Sequence, residues 1–393
     1  MAKKRGNNEG SISKRKDGRW RADISLGNNP ATGKPIRKTF YAKTRKEVAD
    51  KLKQAIKDHE QGRNISTDNQ TVADWFTKWV EIYAKPRVRQ TTYESYECNI
   101  RIHIIPALGA IKLKDLRPEH LQNLYTEKLE NGRVDGKGGL SSTSVRYIHK
   151  LIKQGLNQAL LDQIVFRNIA ANVSAPKKSR HEITLFSVEQ MNQLLHQAKG
   201  SRIFTALLVE WATGLRRGEL LGLRWQDVDL TKGIVSVRQS LINTRLKGLI
   251  YEEPKTAKSK RPIPLPKEVA LQLRIHKKQQ LEEVLMFGAD YFKNDLVFCN
   301  PDDRPYDPKW FVTLFKRILE EAGLPDNSFR NMRHSHATML LLLNEHPKVV
   351  SERLGHSTIA MTLDTYSHVI PGMQERASEK LSGVLDLKKE PSR

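Results

Sequence analysis

The chain has 393 residues, 38% hydrophobic and 28% charged, which fits ordered globular domains and leaves room for two or three of them. Lys and Arg total 67 against 44 Asp and Glu, a formal charge of +23, so a polyanionic partner is expected, nucleic acid first, with a merely basic ribosomal-type protein as the plainer alternative. Two distant cysteines, Cys98 and Cys299, exclude a disulfide framework and a CxxC zinc site. The opening "MAKKRGNNEG" has no apolar segment behind it, and the longest apolar run, Met339 to Leu343, is too short to span a bilayer. A reducing cytoplasmic compartment is the expectation.

The first segment, residues 1–69, holds 18 Lys and Arg against 8 Asp and Glu, hence +10 of the total. In "WRADISL", Trp20, Ala22, Ile24 and Leu26 alternate with Arg21, Asp23 and Ser25, which predicts a half-buried strand. "ATGK" makes a turn into a second extended run, "KPIRKTFYA". A helix follows: Thr44 and Glu47 have capping-box spacing, Val48, Leu52 and Ile56 form its stripe, and Gly62 closes it. A small three-stranded sheet with one helix, basic on its strands, suits a reader of DNA grooves; the bland alternative is a solvated basic face.

Residues 70–174 read as helical. Thr71 caps a stripe of Val72, Trp75, Phe76, Trp79 and Tyr83. A further helix should end near Pro106, and Pro118 opens another with Leu121, Leu124, Tyr125 and Leu129 on one face. After "NGRVDGKGGLSS", a long helix carries Val145, Ile148, Ile152, Leu156 and Ala159. These aromatic and aliphatic stripes read as core rather than as base-stacking platforms. Residues 175–182, "APKKSRHE", read as a linker, and 183–393 as a mixed segment of helices around a β-hairpin region near Gly233 to Leu265.

Four motifs lie in the last segment. In "ATGLRRGELLGLRW", Gly214 ends one helix and Glu219 sits in the next, so Arg216 falls at a helix N-terminal region that favours an anion. "EPKTAKSKRPIPLP" is a lysine-rich turn between extended runs. "FRNMRHSHATM" sets Arg330, Arg333, His334 and His336 on one helix. In "LGHSTIAMTLDTYSHV", Gly355 and Ser357 are stop and start signals for a helix from about Thr358 that carries Tyr366. Each is weak alone, because a lone Arg or Tyr in a basic protein is usually surface or core.

In this order, the motifs resemble the tyrosine recombinase, or phage integrase, family. The likeness covers about half the chain. The first two segments resemble, less specifically, the arm-type DNA-binding and core-binding domains of phage and conjugative-transposon integrases. The fold class implied is multidomain α+β: an N-terminal sheet-plus-helix domain, an all-helical core-binding domain and a mostly helical catalytic domain with a small antiparallel sheet. The resemblance implies that Tyr366 is the nucleophile, giving a 3′-phosphotyrosyl link and a free 5′-hydroxyl. Arg216 and Arg333 would clamp the phosphate, Lys255 would protonate the leaving oxygen, His356 would hydrogen-bond the phosphate, and Glu219 would support the site. The family's third motif usually reads His-x-x-Arg, and its first position here is Arg330. An arginine stays protonated and cannot be a general base, so the acceptor of the Tyr366 proton is open; Arg330 either adds a third cation or points away. The implied partners are double-stranded DNA at core and arm-type sites and a homotetramer, with an excisionase and a DNA-bending protein as accessory factors.

The residue types suit that chemistry. A phenol with pKa about 10 needs neighbouring cations to become a nucleophile. Planar guanidiniums match phosphate oxygens bidentately, and a lysine can give up its proton to an alkoxide where an arginine cannot. The covalent link conserves the phosphodiester energy, and there is neither a GxxxxGK[ST] loop nor a carboxylate cluster for Mg²⁺, so no cofactor is expected. A metal-dependent His-x-His nuclease is disfavoured, because residues two apart on a helix point about 200° apart. A type IB topoisomerase and a DNA-binding regulator with a decayed site remain the alternatives.

Overall fold

The computed structural model describes residues 10–28, 33–60, 69–178, 184–254, 259–366, 378–379 and 381–382. Gly62 and Lys255 lie outside the described residues. The chain divides into two compact units, Met1–Arg180 and His181–Arg393.

The first unit opens with strands β1 (Ser11–Lys14), β2 (Trp20–Asn28) and β3 (Pro35–Ala42), an antiparallel sheet in the order β1-β2-β3. Alternation along β2 turns Ala22 and Ile24 inward onto Val48, Leu52 and Ala55 of α1 (Arg45–Glu60), and leaves Arg21 exposed. Ala55 rather than Ile56 takes the fully buried place in the helix stripe. The Thr44 hydroxyl accepts the Glu47 amide at 3.2 Å and starts α1.

The helical part holds α2 (Val72–Lys78), α3 (Gln90–Asn99), α4 (Ile105–Leu108), α5 (Pro118–Asn131) and α6 (Ser142–Leu161). Thr71 and Asp74 exchange a reciprocal capping box at the head of α2. The helical backbone ends at Leu108, near Pro106 as expected. Wider turns over Ile100–Ile104 precede the proline, which then falls in the first turn of α4, where a missing N–H costs no bond. Leu129 is exposed, and the buried stripe of α5 continues from Leu124 and Tyr125 to Lys128, whose ammonium reaches Glu127 at 2.9 Å. Helix α2 meets α6 at Gly155. The Trp75 indole N–H donates to the Gly155 carbonyl at 3.0 Å, and a Cβ on Gly155 would lie 2.4 Å from the Phe76 ring.

The second unit begins with α7 (Val188–Ala198), α8 (Phe204–Thr213) and α9 (Arg217–Leu221). Strands β4 (Val228–Asp229), β5 (Ile234–Val237), β6 (Ser240–Thr244), β7 (Gly248–Glu252) and β8 (Arg261–Pro264) follow. They form one antiparallel sheet, β4-β5-β8, and one hairpin, β6-β7. Then come α10 (Lys267–Phe287), α11 (Pro308–Glu321), α12 (Phe329–Leu342), α13 (Pro347–Leu354) and α14 (Ile359–Tyr366). The Phe329 ring at the head of α12 stands edge-on to Phe311 and Phe315 of α11, which anchors that helix in the core.

Replacing Gly155 with alanine should destabilise the protein by about 1–3 kcal/mol, because the added methyl overpacks Phe76 by more than alanine's helix propensity returns. Thermal or urea unfolding of the full chain checks this, and an unchanged or raised midpoint contradicts it.

Candidate active site

The site in the second unit is built from helix ends. Helix α8 stops at Gly214, which adopts φ +63°; a Cβ there would lie 2.6 Å from the His336 ring and 2.8 Å from Leu354. Helix α13 stops at Gly355 with φ +65°, where a Cβ would strike the Arg261 guanidinium at 2.8 Å. Both positions require glycine on two grounds, the left-handed backbone and the close approach. Their carbonyls face the arginines. Arg333 on α12 donates to Gly214 O at 2.6 Å and to Leu354 O at 2.7 Å, and Arg216 donates to Gly355 O at 3.2 Å. Helix C-termini carry partial negative charge, so they are natural seats for guanidinium groups.

Glu219 completes the frame. It lies one turn into α9, 5% exposed. Its carboxylate accepts the Arg216 amide at 3.0 Å and the Arg216 guanidinium at 2.7 Å. From the other side, Arg261 of β8 donates to it at 3.1 Å. Arg261 also donates to Arg353 O at 2.6 Å and to Ser259 O at 3.0 Å. Burial alone would raise the pKa of Glu219, but the charges and hydrogen bonds of Arg261 and Arg216 outweigh it and hold the carboxyl below its usual range. Arg333 is buried; desolvation first, then repulsion from Arg216, weakens its hold on its proton, yet a guanidinium stays charged at neutral pH.

The three histidines near the site differ. His336 is buried among α8, α12 and α13. Its Nδ1 meets Trp211 O at 2.7 Å, its Nε2 accepts from Arg353 Nε at 3.3 Å, and burial, then the Arg353 charge, pushes it down to about 3. It is a packing histidine in its neutral form. His356 follows Gly355, and its Nδ1 meets Thr362 Oγ1 of α14 at 2.8 Å. Burial, then Arg333 and Arg216, lowers it to about 4. His334 is half-buried and is likewise lowered to about 4, by burial first, then by Arg330 and Arg333. Arg330 itself is exposed in the first turn of α12.

The structure thus brings Arg216, Glu219, Arg333 and His356 together, with α14 tied on through Thr362. Tyr366 is the last residue of α14. Lys255 lies outside the described residues, between β7 and β8. Two groups escaped the sequence reading. Arg261 shares the inward face of β8 with Ile263, and an arginine at an inward period-two position already calls for a buried carboxylate. Glu210 of α8 is 1% exposed with neither carboxyl oxygen hydrogen-bonded. Desolvation raises it well above the ordinary carboxyl range, against the pull of Arg333. Its place in an apolar helix stripe gave no warning. Among the described residues, no group of three or more His, Cys, Asp or Glu could hold a metal ion, and no helix is long and apolar enough to cross a membrane.

Arginines at fixed positions around a buried carboxylate, a histidine beside them and a tyrosine-bearing helix tied to that histidine make a positively charged group suited to an oxyanion. Comparison with known proteins agrees. The phage integrase family profile matches residues 183–372, and the N-terminal SAM-like domain of phage integrases matches residues 71–129. A "Tyrosine recombinase XerC-like" protein of Caldanaerobacter subterraneus is 30% identical over 384 residues, covering 93% of this chain and 96% of its own. The solved Tn1549 transposon integrase bound to a circular intermediate DNA superposes with a TM-score of 0.66 at 21% identity, covering 79% of this chain and 99% of that one. A lambda integrase tetramer bound to a Holliday junction gives 0.56 at 18% identity, covering 93% and 96%. The chain belongs to the phage integrase family of tyrosine recombinases, enzymes that cleave and rejoin DNA through a tyrosine.

Glu210 provides a test of the buried electrostatics. Below the ordinary carboxyl pKa, folded and unfolded states are both protonated and the group is silent. Above it the unfolded chain ionises first, so stability falls as pH rises toward the raised folded value. Glu210→Gln removes that loss. Its unfolding midpoint should exceed that of the parent by a few degrees at mildly alkaline pH, about 1–3 kcal/mol, and converge on it near pH 4. A difference independent of pH contradicts the neutral carboxyl.

Proposed function

We propose that the chain integrates and excises a mobile element or prophage by site-specific recombination, with Tyr366 as nucleophile. The main support is the convergence of Arg216, Arg333 and His356 at the ends of α8 and α13, beside the helix that ends in Tyr366. Arg216 and Arg333 bind the non-bridging oxygens of the scissile phosphate and favour the phenolate of Tyr366. His356 hydrogen-bonds the same phosphate. Lys255, which lies between β7 and β8 in the sequence, gives its proton to the leaving 5′ oxygen. Glu219 keeps Arg216 oriented. The product is a 3′-phosphotyrosyl bond and a 5′-hydroxyl, which attacks the partner strand through a Holliday junction without ATP or metal.

Residues 1–69 serve as the arm-type DNA-binding domain, 70–174 as the core-binding domain, 175–182 as the linker and 183–393 as the catalytic domain. Arg21 and its exposed neighbours on the N-terminal sheet suit a DNA groove. The two larger domains close round the crossover site, mostly through phosphate contacts. The active form is a homotetramer on two duplexes in the bacterial nucleoid, assisted by an excisionase and a DNA-bending protein. The tail beyond Pro371, with exposed Leu381, docks on a neighbouring protomer.

Tyr366→Phe should bind DNA as the parent does and form no denaturant-resistant adduct, and the parent's cleavage should persist in EDTA. An adduct in the variant overturns the nucleophile, and loss in EDTA revives the metal reading. Arg330→Ala should slow cleavage of a nicked suicide duplex about tenfold or more if Arg330 is a third cation on the phosphate. The parent rate in that variant removes Arg330 from the clamp.

A further inference from the structure

A guanidinium attracts a phosphate only with charge that its own neighbours have not already neutralised. Arg216 stands closest to losing that charge. The Glu219 carboxylate takes its guanidinium at 2.7 Å and its amide at 3.0 Å. A carboxylate that held Arg216 alone would cancel it, and a neutral pair attracts an anion weakly.

Arg261 changes this balance. It is the first residue of β8, and its side chain is 6% exposed against 44% for Arg216. Its two terminal nitrogens straddle the carboxylate, Nη2 to Oε2 at 3.1 Å and Nη1 to Oε1 at 3.4 Å. Arg216 gives Glu219 one guanidinium nitrogen, Nη1, and turns Nη2 to Gly355 O at 3.2 Å. Burial raises the Glu219 pKa, and Arg261 does more than Arg216 to oppose it. The sealed guanidinium is therefore the main counter-ion, and the more exposed one is left open to a ligand.

Arg261 also has a second hold. Its Nε donates to Arg353 O at 2.6 Å, in the last turn of α13, three residues before His356. A Cβ on Gly355 would lie 2.8 Å from the same guanidinium. One side chain thus fixes both the carboxylate beside Arg216 and the helix end that leads into His356.

Resting on the reading of Arg216 as a phosphate ligand, we propose that Arg261 is a positioning residue of the reaction: it takes the larger share of the Glu219 charge, so that Arg216 stays oriented yet keeps its own charge for the scissile phosphate. Arg261 makes no bond to the substrate and moves no proton. Its effect reaches the phosphate through Glu219 and Arg216.

The test is single-turnover cleavage of a nicked suicide duplex by the full-length protein at saturating DNA, with DNA affinity measured beside it. Arg261→Gln removes the charge and keeps most of the volume, and should slow cleavage about 10²-fold. DNA affinity should stay near the parent's, because it is summed over many phosphate contacts. Arg261→Lys restores the charge and should recover much of the rate. Breaking one half of a buried ion pair strands the other, whereas replacing both halves leaves no stranded charge. Arg261→Gln combined with Glu219→Gln should therefore fold and cleave faster than Arg261→Gln alone, since no carboxylate then cancels Arg216. A parental rate in Arg261→Gln overturns the proposal. So do equal losses in the Gln and Lys variants, or a double variant no faster than Arg261→Gln, either of which would mark Arg261 as packing only. Should Arg261→Gln fail to fold, the double variant decides: it should cleave faster than Arg216→Ala, and a rate as low as that variant's overturns the proposal. A parental rate in Arg216→Ala would instead overturn the clamp itself, whatever the Arg261 variants do.

Discussion

The Glu219 carboxylate, held between Arg216 and Arg261, is the interaction on which the site depends. Arg333 and Arg261 are buried and each would be expensive there unpaired, whereas Arg216 keeps its side chain 44% exposed beside them. One carboxylate cannot neutralise three cations. The remainder is met by carbonyls at helix C-termini: Gly214 and Leu354 for Arg333, Gly355 for Arg216, Arg353 for Arg261. The cluster therefore keeps a net positive charge while every guanidinium has partners. That combination fixes the guanidiniums in position without cancelling their positive charge.

Glu210 belongs to the same balance. An ionised carboxylate behind Arg333 would add a second negative charge to the frame and weaken its pull on an anion. Burial makes the neutral acid the stable form, so its proton preserves the positive excess. The cost is a carboxyl group with neither oxygen hydrogen-bonded, paid in stability.

The helices, their caps and the mixed character of the second unit were legible in the sequence because periodicity and glycine stops report local geometry. Thr71, Ser357 and the two left-handed glycines mark boundaries that depend on neighbouring residues alone. The misreadings have physical causes. Leu129, four residues beyond Tyr125, stays exposed, while the stem of Lys128, four beyond Leu124, is covered. At the site, Arg216, Arg333 and His356 stand in motifs as site candidates, whereas the parts of Arg261, inside the lysine-rich motif, and of Glu210 are defined by contacts across α8, α9, β8 and α12, which short-range pattern cannot reach.

His334 and His336 show how little residue type decides. Two residues apart on a helix, they differ by about 200° in direction, so one side chain can enter the core while the other stays at the rim. His336 bridges Trp211 and Arg353 and binds α8 and α13 to α12. That fixes the helix whose next face carries Arg333, His334 and Arg330. His336 thereby holds α12 against α8 and α13. The two-residue spacing places one histidine ring in the core and the other at the rim of the same helix.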